Sequence, residues 1–292
     1  MKRYVVVRTA LAILSAVAVV LAVAVASFAQ SGGQIYLPFI QQGSPSVAAA
    51  GADQGDDQAR QPGKPLPTIV LVHGAWADGT GWQEVIKRLD RKGYLVIAVQ
   101  NPLTSLADDV ATTKRVLDAQ TGPIIVVGHS YGGAVITGAA AGNANVKALV
   151  YIAAFAPAAG EPLGLLLQQY PTELANILDF DAAGFAYLNR ARFREVFAGD
   201  VDGTTARVMA AAQKPAFGGI FAEHLDVAAW ETIPTWYMVA KDDKALSPDM
   251  ERFVANRMGA KTIEIKSSHV PFISQPERVV DLIERAVRAT VH

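Results

Sequence analysis

Short apolar runs recur along the chain after residue 66, and most of them are rich in β-branched side chains. The runs lie at 68–72, 94–99, 124–127, 148–152, 235–239 and 262–265. A run that is apolar at almost every position is typical of a strand buried on both faces of a parallel sheet. The pattern therefore predicts about six strands in a mainly parallel sheet.

The segments between these runs have helical spacing. In 82–89 the apolar residues are Trp82, Val85, Ile86 and Leu89, which fall on one face of a helix. The ranges 106–117, 132–141, 250–258 and 276–287 show the same periodicity. Strands that alternate with helices predict right-handed βαβ units, and so an α/β fold with helices on both faces of the sheet.

The alternation breaks once, between about residues 155 and 231, where no convincing strand run appears. This segment contains many large apolar residues and a helix-like stretch at 204–212. It is too long for a bare loop. We expect it to form a helical cap inserted over one end of the sheet.

The N-terminal segment has the organisation of a secretory signal peptide. Basic residues in 1–8 precede an uncharged apolar run at 10–26, and Ser27–Phe28–Ala29 provides small residues at the positions that signal peptidase reads. We expect cleavage after Ala29 and a secreted or periplasmic protein. The alternative is an uncleaved anchor, because the apolar run is near the lower length limit for a spanning helix.

Residues 30–66 are rich in Gly, Gln, Ser, Pro, Ala and Asp, which predicts a flexible linker before a catalytic domain at 67–292. The net charge is −1 and the basic residues are scattered, so we expect a small, uncharged molecule as partner rather than nucleic acid. The chain has no cysteine, so it can form no disulfide and carry no thiol-linked lipid.

Candidate chemistry centres on Gly128–His129–Ser130–Tyr131–Gly132, which fits the G-x-S-x-G pattern. The pattern directly follows a strand run and opens a helix, which is the context of a nucleophile elbow. We expect Ser130 to be the nucleophile, held in a strained conformation. The flanking glycines are expected because a side chain at either position would collide with the neighbouring strand or helix.

A serine hydroxyl needs a base to take its proton, and in this kind of site the chain order is Ser, acid, His. His269 follows the last strand run and is the expected base. The other histidines are expected to be structural (His129 in the elbow, facing away from the site, and His73 in the first loop), to lie on the cap surface or near substrate (His224), or to be terminal (His292).

The acid should follow the strand before that of the histidine, where Asp242 and Asp243 are adjacent. Only one of the two can face His269, and position alone leaves both open.

Two backbone N–H groups should form an oxyanion hole, one from Tyr131 after the nucleophile and one from Ala75 after the first strand. Trp76 and Trp82 are expected to be packing residues. No metal-binding spacing or nucleotide loop is present, so we expect neither metal nor cofactor.

These motifs together resemble the α/β-hydrolase superfamily over about residues 67–289. The resemblance rests on His73–Gly74–Ala75–Trp76, the elbow, Asp243–Lys244–Ala245–Leu246 and Ser268–His269. The most similar branch contains small serine esterases, among them plant methyl-ester esterases, and hydroxynitrile lyases. In that branch a basic and then an apolar residue commonly follow the triad aspartate before a proline, which implies Asp243 rather than Asp242.

Two positions depart from the lyases of this branch, which carry threonine where this chain has Gly74 and lysine where it has Val270. That lysine manages the charge of departing cyanide, and valine cannot. The resemblance therefore implies hydrolysis of an apolar carboxylic ester through an acyl-enzyme on Ser130. A lactonase, amidase, carbon–carbon hydrolase or perhydrolase with the same triad stays open, as does a binding or receptor protein on the same fold.

Overall fold

The protein is described here by a computed structural model, which covers residues 66–291. The predicted signal peptide, almost all of the predicted linker, and His292 lie outside these residues. Among the residues described, no helix is both long and apolar enough to cross a bilayer.

The centre of the fold is a six-stranded, fully parallel sheet in the order β2-β1-β3-β4-β8-β9. Its strands are β1 (Thr68–Val72), β2 (Val96–Val99), β3 (Ile124–His129), β4 (Val146–Ile152), β8 (Thr235–Ala240) and β9 (Lys261–Ile265). All residues of β1 after Thr68, and all of β3 and β8, are buried. The prediction of six strands in an α/β sheet is confirmed.

Nine helices accompany this sheet and its insertion in the described chain. They are α1 (Gln83–Arg91), α2 (Leu106–Asp118), α3 (Tyr131–Ala139), α4 (Leu163–Gln169), α5 (Phe193–Phe197), α6 (Gly203–Ala212), α7 (Pro248–Arg257), α8 (Pro271–Ser274) and α9 (Pro276–Thr290). Helix α9 packs on α1 and on β4 and β8, while α2 packs on α3. Helices α1, α2 and α9 therefore bury the apolar stripes that predicted them.

One strand begins later than its apolar run predicts. Gly93 has φ +82°, and the N–H of Tyr94 donates to Leu89 O at 3.2 Å, so residues 92–94 close the C-terminus of α1. Leu95 then lies largely exposed, and β2 starts at Val96. The turn that ends α1 therefore includes Tyr94, which β-propensity alone would assign to the strand.

The segment between β4 and β8 forms the insertion, and it is not purely helical as expected. Besides α4, α5 and α6 it contains a three-stranded antiparallel sheet of β5 (Leu178–Phe180), β6 (Phe185–Leu188) and β7 (Ala216–Phe217). Strands of two to four residues are too short to show a period in the sequence. Their pairing depends on tertiary contacts and on Gly184, whose φ of +84° helps turn the chain between β5 and β6.

Candidate active site

Ser130 lies at the sharp turn between β3 and α3, with φ 52° and ψ −124°. Non-glycine residues in such conformations cost about 1–3 kcal/mol, so the surroundings must enforce the turn. A Cβ on Gly128 would lie 2.6 Å from Gly132 O, and a Cβ on Gly132 would lie 2.5 Å from Val72 O. The strand and helix therefore approach at backbone contact distance, and the predicted strain and glycine requirement are confirmed.

Two backbone N–H groups are free beside this turn. Tyr131 is the first residue of α3, so its N–H has no partner within the helix. The N–H of Ala75 donates no hydrogen bond within the described chain either, and the next residue, Trp76, turns the loop with φ 58°. Val72 pairs with Gly128 across the sheet, which brings the Ala75 loop level with the elbow.

The structure distinguishes the two adjacent aspartates. Asp243 Oδ2 accepts a hydrogen bond from His269 Nδ1 at 2.5 Å, and the two side chains are 0% and 1% exposed. Asp243 Oδ1 accepts from the N–H groups of Ala245 and Leu246 at 2.7 and 2.9 Å. Asp242 is exposed instead. The carboxylate of Asp243 is thus fixed by backbone donors on one oxygen and is available to His269 on the other.

The loop carrying His269 lies directly against the elbow. His129, next to Ser130, donates from Nε2 to the carbonyl oxygen of His269 at 2.8 Å, and the two imidazole rings are 4.7 Å apart. Ser130 is 4% exposed, and its hydroxyl makes no hydrogen bond with another described residue. Ser130 and His269 therefore lie on adjoining segments, and their side chains are not hydrogen-bonded to each other; such hydrogen bonds often tighten only when substrate binds.

The sequence predicted a structural role for His129, with its ring facing away from the site, and the ring is wholly buried. The ring packs between Trp82, Phe272 and His269, and so it supports the loop that carries His269. Complete burial, and secondarily the nearby His269, hold the pKa of His129 well below its ordinary value. A neutral ring is what this dry position requires.

His73 links the first loop to the end of β2. Its Nδ1 donates to Gly74 O at 2.8 Å, and its Nε2 accepts from Asn101 N at 2.9 Å. Burial lowers the pKa of His73 to about 4, so the ring stays neutral and keeps both bonds. This agrees with the expected role in loop geometry. His224, with 53% of its side chain exposed, lies on the surface of the insertion.

Trp76 does more than the packing role expected of it. Its Nε1 donates to Ala186 O in β6, and its ring stacks on Phe221 with centroids 6.1 Å apart. It borders an apolar cavity of about 250 Å³ and a second of about 80 Å³, the latter also lined by Phe197. The Phe197 ring in turn contacts that of His269 at 4.8 Å. In the sequence, only the position of Trp76 directly after Ala75 could have indicated that it borders these cavities.

Two buried carboxyl groups near the site were missed by the sequence analysis. Asp109 accepts hydrogen bonds from the hydroxyl of Tyr131 at 2.7 Å and from Leu103 N at 2.8 Å. The bond to Tyr131 fixes the first residue of α3. Glu251 is completely buried in α7, beside Asp243. Within residues 66–291 no group of three or more His, Asp or Glu side chains is placed to hold a metal ion.

A parallel sheet with a strained serine elbow on a central strand, and an Asp–His pair on the loops after β8 and β9, defines the α/β hydrolase class of proteins. The sequence model of the alpha/beta hydrolase family matches residues 69–282. The chain belongs to this family, and it is a hydrolase of the α/β fold.

Two curated relatives cover most of the chain. The probable hydrolase R7 of Phoma sp. is 26% identical over 238 residues, which is 74% of this chain and 96% of that protein. The pyrethroid hydrolase of Sphingobium wenxiniae is 28% identical over 244 residues, covering 74% and 85%. The solved structure of polyneuridine aldehyde esterase shares the fold, with TM-score 0.69 and 17% identity over 76% of this chain and 99% of that one. That structure shows the shared fold, and the predicted resemblance to the α/β-hydrolase superfamily is confirmed by the family model.

Proposed function

We propose that the protein is an exported serine esterase that cleaves apolar carboxylic esters through an acyl-enzyme on Ser130. The observation that carries this proposal is the buried Asp243–His269 hydrogen bond against the strained elbow of Ser130. A base that is itself oriented by a buried acid is what a serine needs in order to become a nucleophile at neutral pH.

In the first half of the reaction, Ser130 Oγ forms a bond to the ester carbonyl carbon while His269 Nε2 takes the hydroxyl proton. The carbon–oxygen bond to the alcohol then breaks, and His269 gives that proton to the departing oxygen. In the second half, a water attacks the acyl-enzyme, His269 takes its proton and returns it to Ser130, and the acid leaves. Asp243 keeps Nδ1 protonated throughout, which leaves Nε2 as the base.

The negative charge that develops on the carbonyl oxygen faces the free N–H groups of Ala75 and Tyr131. Removal of one such donor costs about 3 kcal/mol of transition-state stabilisation in other hydrolases. Tyr131 also lies at the N-terminus of α3, where the helix dipole favours negative charge. The Tyr131–Asp109 hydrogen bond fixes that helix end, so the donor is held in place before substrate arrives.

An apolar substrate is supported by the cavity that Trp76, the residue after Ala75, borders. The cavity beside Trp76 is lined by Leu167, Leu174, Leu178 and Phe221, with Thr172 as its main polar side chain. Binding sites for small molecules typically combine such apolar walls with few polar groups. The name of the Sphingobium relative, a hydrolase of pyrethroids, agrees with an apolar substrate.

We expect the protein to hydrolyse esters and not to cleave cyanohydrins. Departing cyanide needs a nearby cation, and Val270 beside His269 is buried and apolar. A Cβ at Gly74 would lie 2.8 Å from Ser130 Cβ, so the loop has no room for a larger residue without moving. We therefore expect hydrolysis of short aryl esters near pH 7 and no cyanide release from mandelonitrile above the enzyme-free rate.

Both reactions can be followed with the same purified protein, by absorbance of the phenol and by a cyanide electrode. Cyanide release that disappears in Ser130→Ala would contradict the esterase assignment. A substrate panel that varies acyl length and alcohol bulk then identifies which side of the ester occupies the apolar cavity.

Export is expected to remove the first 29 residues. The mature chain should begin at Gln30, because Ser27–Phe28–Ala29 places small residues at the cleavage site. N-terminal sequencing and intact mass of the protein from the medium or periplasm measure this directly. Recovery of the full-length chain in the membrane fraction would favour the anchored alternative, and Ala29→Arg is the control variant that should block cleavage.

A further inference from the structure

Glu251 is a fully buried acidic residue with no cationic partner. It lies in α7 at 0% exposure, among the buried residues Met250, Val254 and Ala255. The adjacent Arg252 is partly exposed and forms ion pairs with Asp249 and Glu264 at the surface. A buried carboxylate without a counter-charge is strongly unfavourable, so its position demands an explanation.

Hydrogen bonds connect Glu251 to the segment that carries Asp243. Glu251 Oε2 accepts from the N–H of Ala240, at the end of β8, at 3.0 Å. The carbonyl of the same Ala240 accepts from the N–H of Asp243 at 3.2 Å. After burial, the carboxylate of Asp243 is the largest influence that raises the pKa of Glu251, so the two carboxyl groups lie close together. Glu251 and Asp243 are therefore both anchored on Ala240, one through its N–H and the other through its carbonyl.

The second oxygen of Glu251, Oε1, is buried, and no donor from the described residues reaches it. Two carboxyl groups in contact cannot both be ionised without strong repulsion. Asp243 has two backbone N–H donors as well as His269, whereas Glu251 has one N–H donor. The negative charge is thus better stabilised on Asp243, and the proton of the pair belongs on Glu251 Oε1.

The other titratable groups around Glu251 leave this assignment unchanged. Tyr237 in β8 donates its hydroxyl proton to Ala154 O and accepts from Ala154 N, so its hydrogen bonds are made elsewhere. Arg252 is drawn to the surface by its own partners. Burial, followed by the charge of Asp243, holds the pKa of Glu251 well above its ordinary value.

We propose that Glu251 is a positioning residue that works as a neutral acid, donating a hydrogen bond from Oε1 to the carboxylate of Asp243 so that this carboxylate stays aligned with His269. Two experiments test this inference. The first, an activity measurement, rests on the proposed esterase function, whereas the second, a stability measurement, is independent of any reaction. Ionisation of Glu251, as pH rises through its raised pKa, places a second charge beside Asp243 and disrupts the pair.

The activity arm compares Glu251→Gln with Glu251→Met, using kcat and KM for an aryl ester between pH 6 and 10. Glutamine keeps a neutral donor, so we expect kcat within about threefold of wild type at pH 7 and no loss from Glu251 ionisation at high pH. Methionine keeps the volume but not the donor. We expect it to lower kcat about tenfold to a hundredfold, the scale of a small misplacement in a site, with KM little changed.

The stability arm measures unfolding by denaturant at several pH values. Because the folded protein holds Glu251 protonated and the unfolded chain does not, wild type has its full stability only below the usual glutamate pKa. It loses stability as pH rises towards the raised pKa of the folded state. Glu251→Gln removes this dependence, so the ratio of the two unfolding constants should change by up to about tenfold per pH unit. Glu231→Gln, at an exposed residue that forms no ion pair with another described residue, is the matched control and should run parallel to wild type.

A folded Glu251→Met with wild-type kcat, or a Glu251→Gln as impaired as Glu251→Met, would overturn the proposal. Parallel stability curves for wild type and Glu251→Gln would overturn it as well. A wild-type protein without esterase turnover refutes the proposed function, and the stability comparison then decides on the protonation of Glu251 alone.

Discussion

Ser130→Ala is expected to lower kcat for an activated ester by about 10⁶-fold, the scale seen when a triad hydrolase loses its nucleophile. The loss follows because the acyl-enzyme can no longer form, while the oxyanion hole and the cavity remain. Alanine fits the space of serine, so the protein should stay folded. Kinetics on protein purified free of host esterases, with a fluorophosphonate probe to report labelling of the serine, measure the effect.

The matched control is Ser105→Ala, at a serine that caps α2 by accepting from Asp108 N at 3.0 Å. This change should cost about 1 kcal/mol of stability and leave turnover intact. If Ser130→Ala keeps more than a few per cent of activity, another residue is the nucleophile. If wild type itself neither labels nor turns over, the protein is a binder on this fold rather than an enzyme.

Asp243→Asn is expected to lower kcat by about 10⁴-fold, as the same change does in another triad enzyme. An amide in place of Oδ2 can present N–H to His269 Nδ1, which favours the tautomer that carries its proton on Nε2. Nε2 then cannot accept a proton from Ser130. Asp242→Asn provides the control one residue away, because Asp242 is exposed and does not contact His269.

The comparison of the two variants is a rate measurement on otherwise identical proteins. We expect Asp242→Asn to stay within about twofold of wild type, as is usual for surface changes away from a site. An Asp242→Asn protein that is more impaired than Asp243→Asn would mean that the loop rearranges in solution and that the acid is Asp242.

The parallel sheet and the elbow were predictable because each leaves a local signal. Strands buried on both faces must be apolar throughout, and the turn at Ser130 allows only glycine where the backbones meet. Both features can therefore be recognised from a few consecutive residues. The choice between Asp242 and Asp243 was not local. It depends on which side chain the turn after Ala240 directs inward, and family resemblance rather than periodicity indicated Asp243.

Other features depend on contacts between distant residues. The strands β5, β6 and β7 are too short for any period, and His129 could not be placed without knowing that the loop of His269 packs on it. Glu251 did leave a signal that the helix prediction overlooked. It occupies the core-facing side of the predicted helix 250–258, where an acidic residue is out of place unless it has a partner or a proton.

The candidate site brings together segments of the chain that the ribosome makes at different times. His129 and His269 are 140 positions apart in the sequence, and they meet only when β9 has joined the sheet beyond β8. Closing such long loops is the slow part of folding for chains with distant contacts. A growing chain that has already formed the elbow therefore still lacks the histidine that we propose as its base, so the proposed site can assemble only after β9 and the loop that follows it have been made.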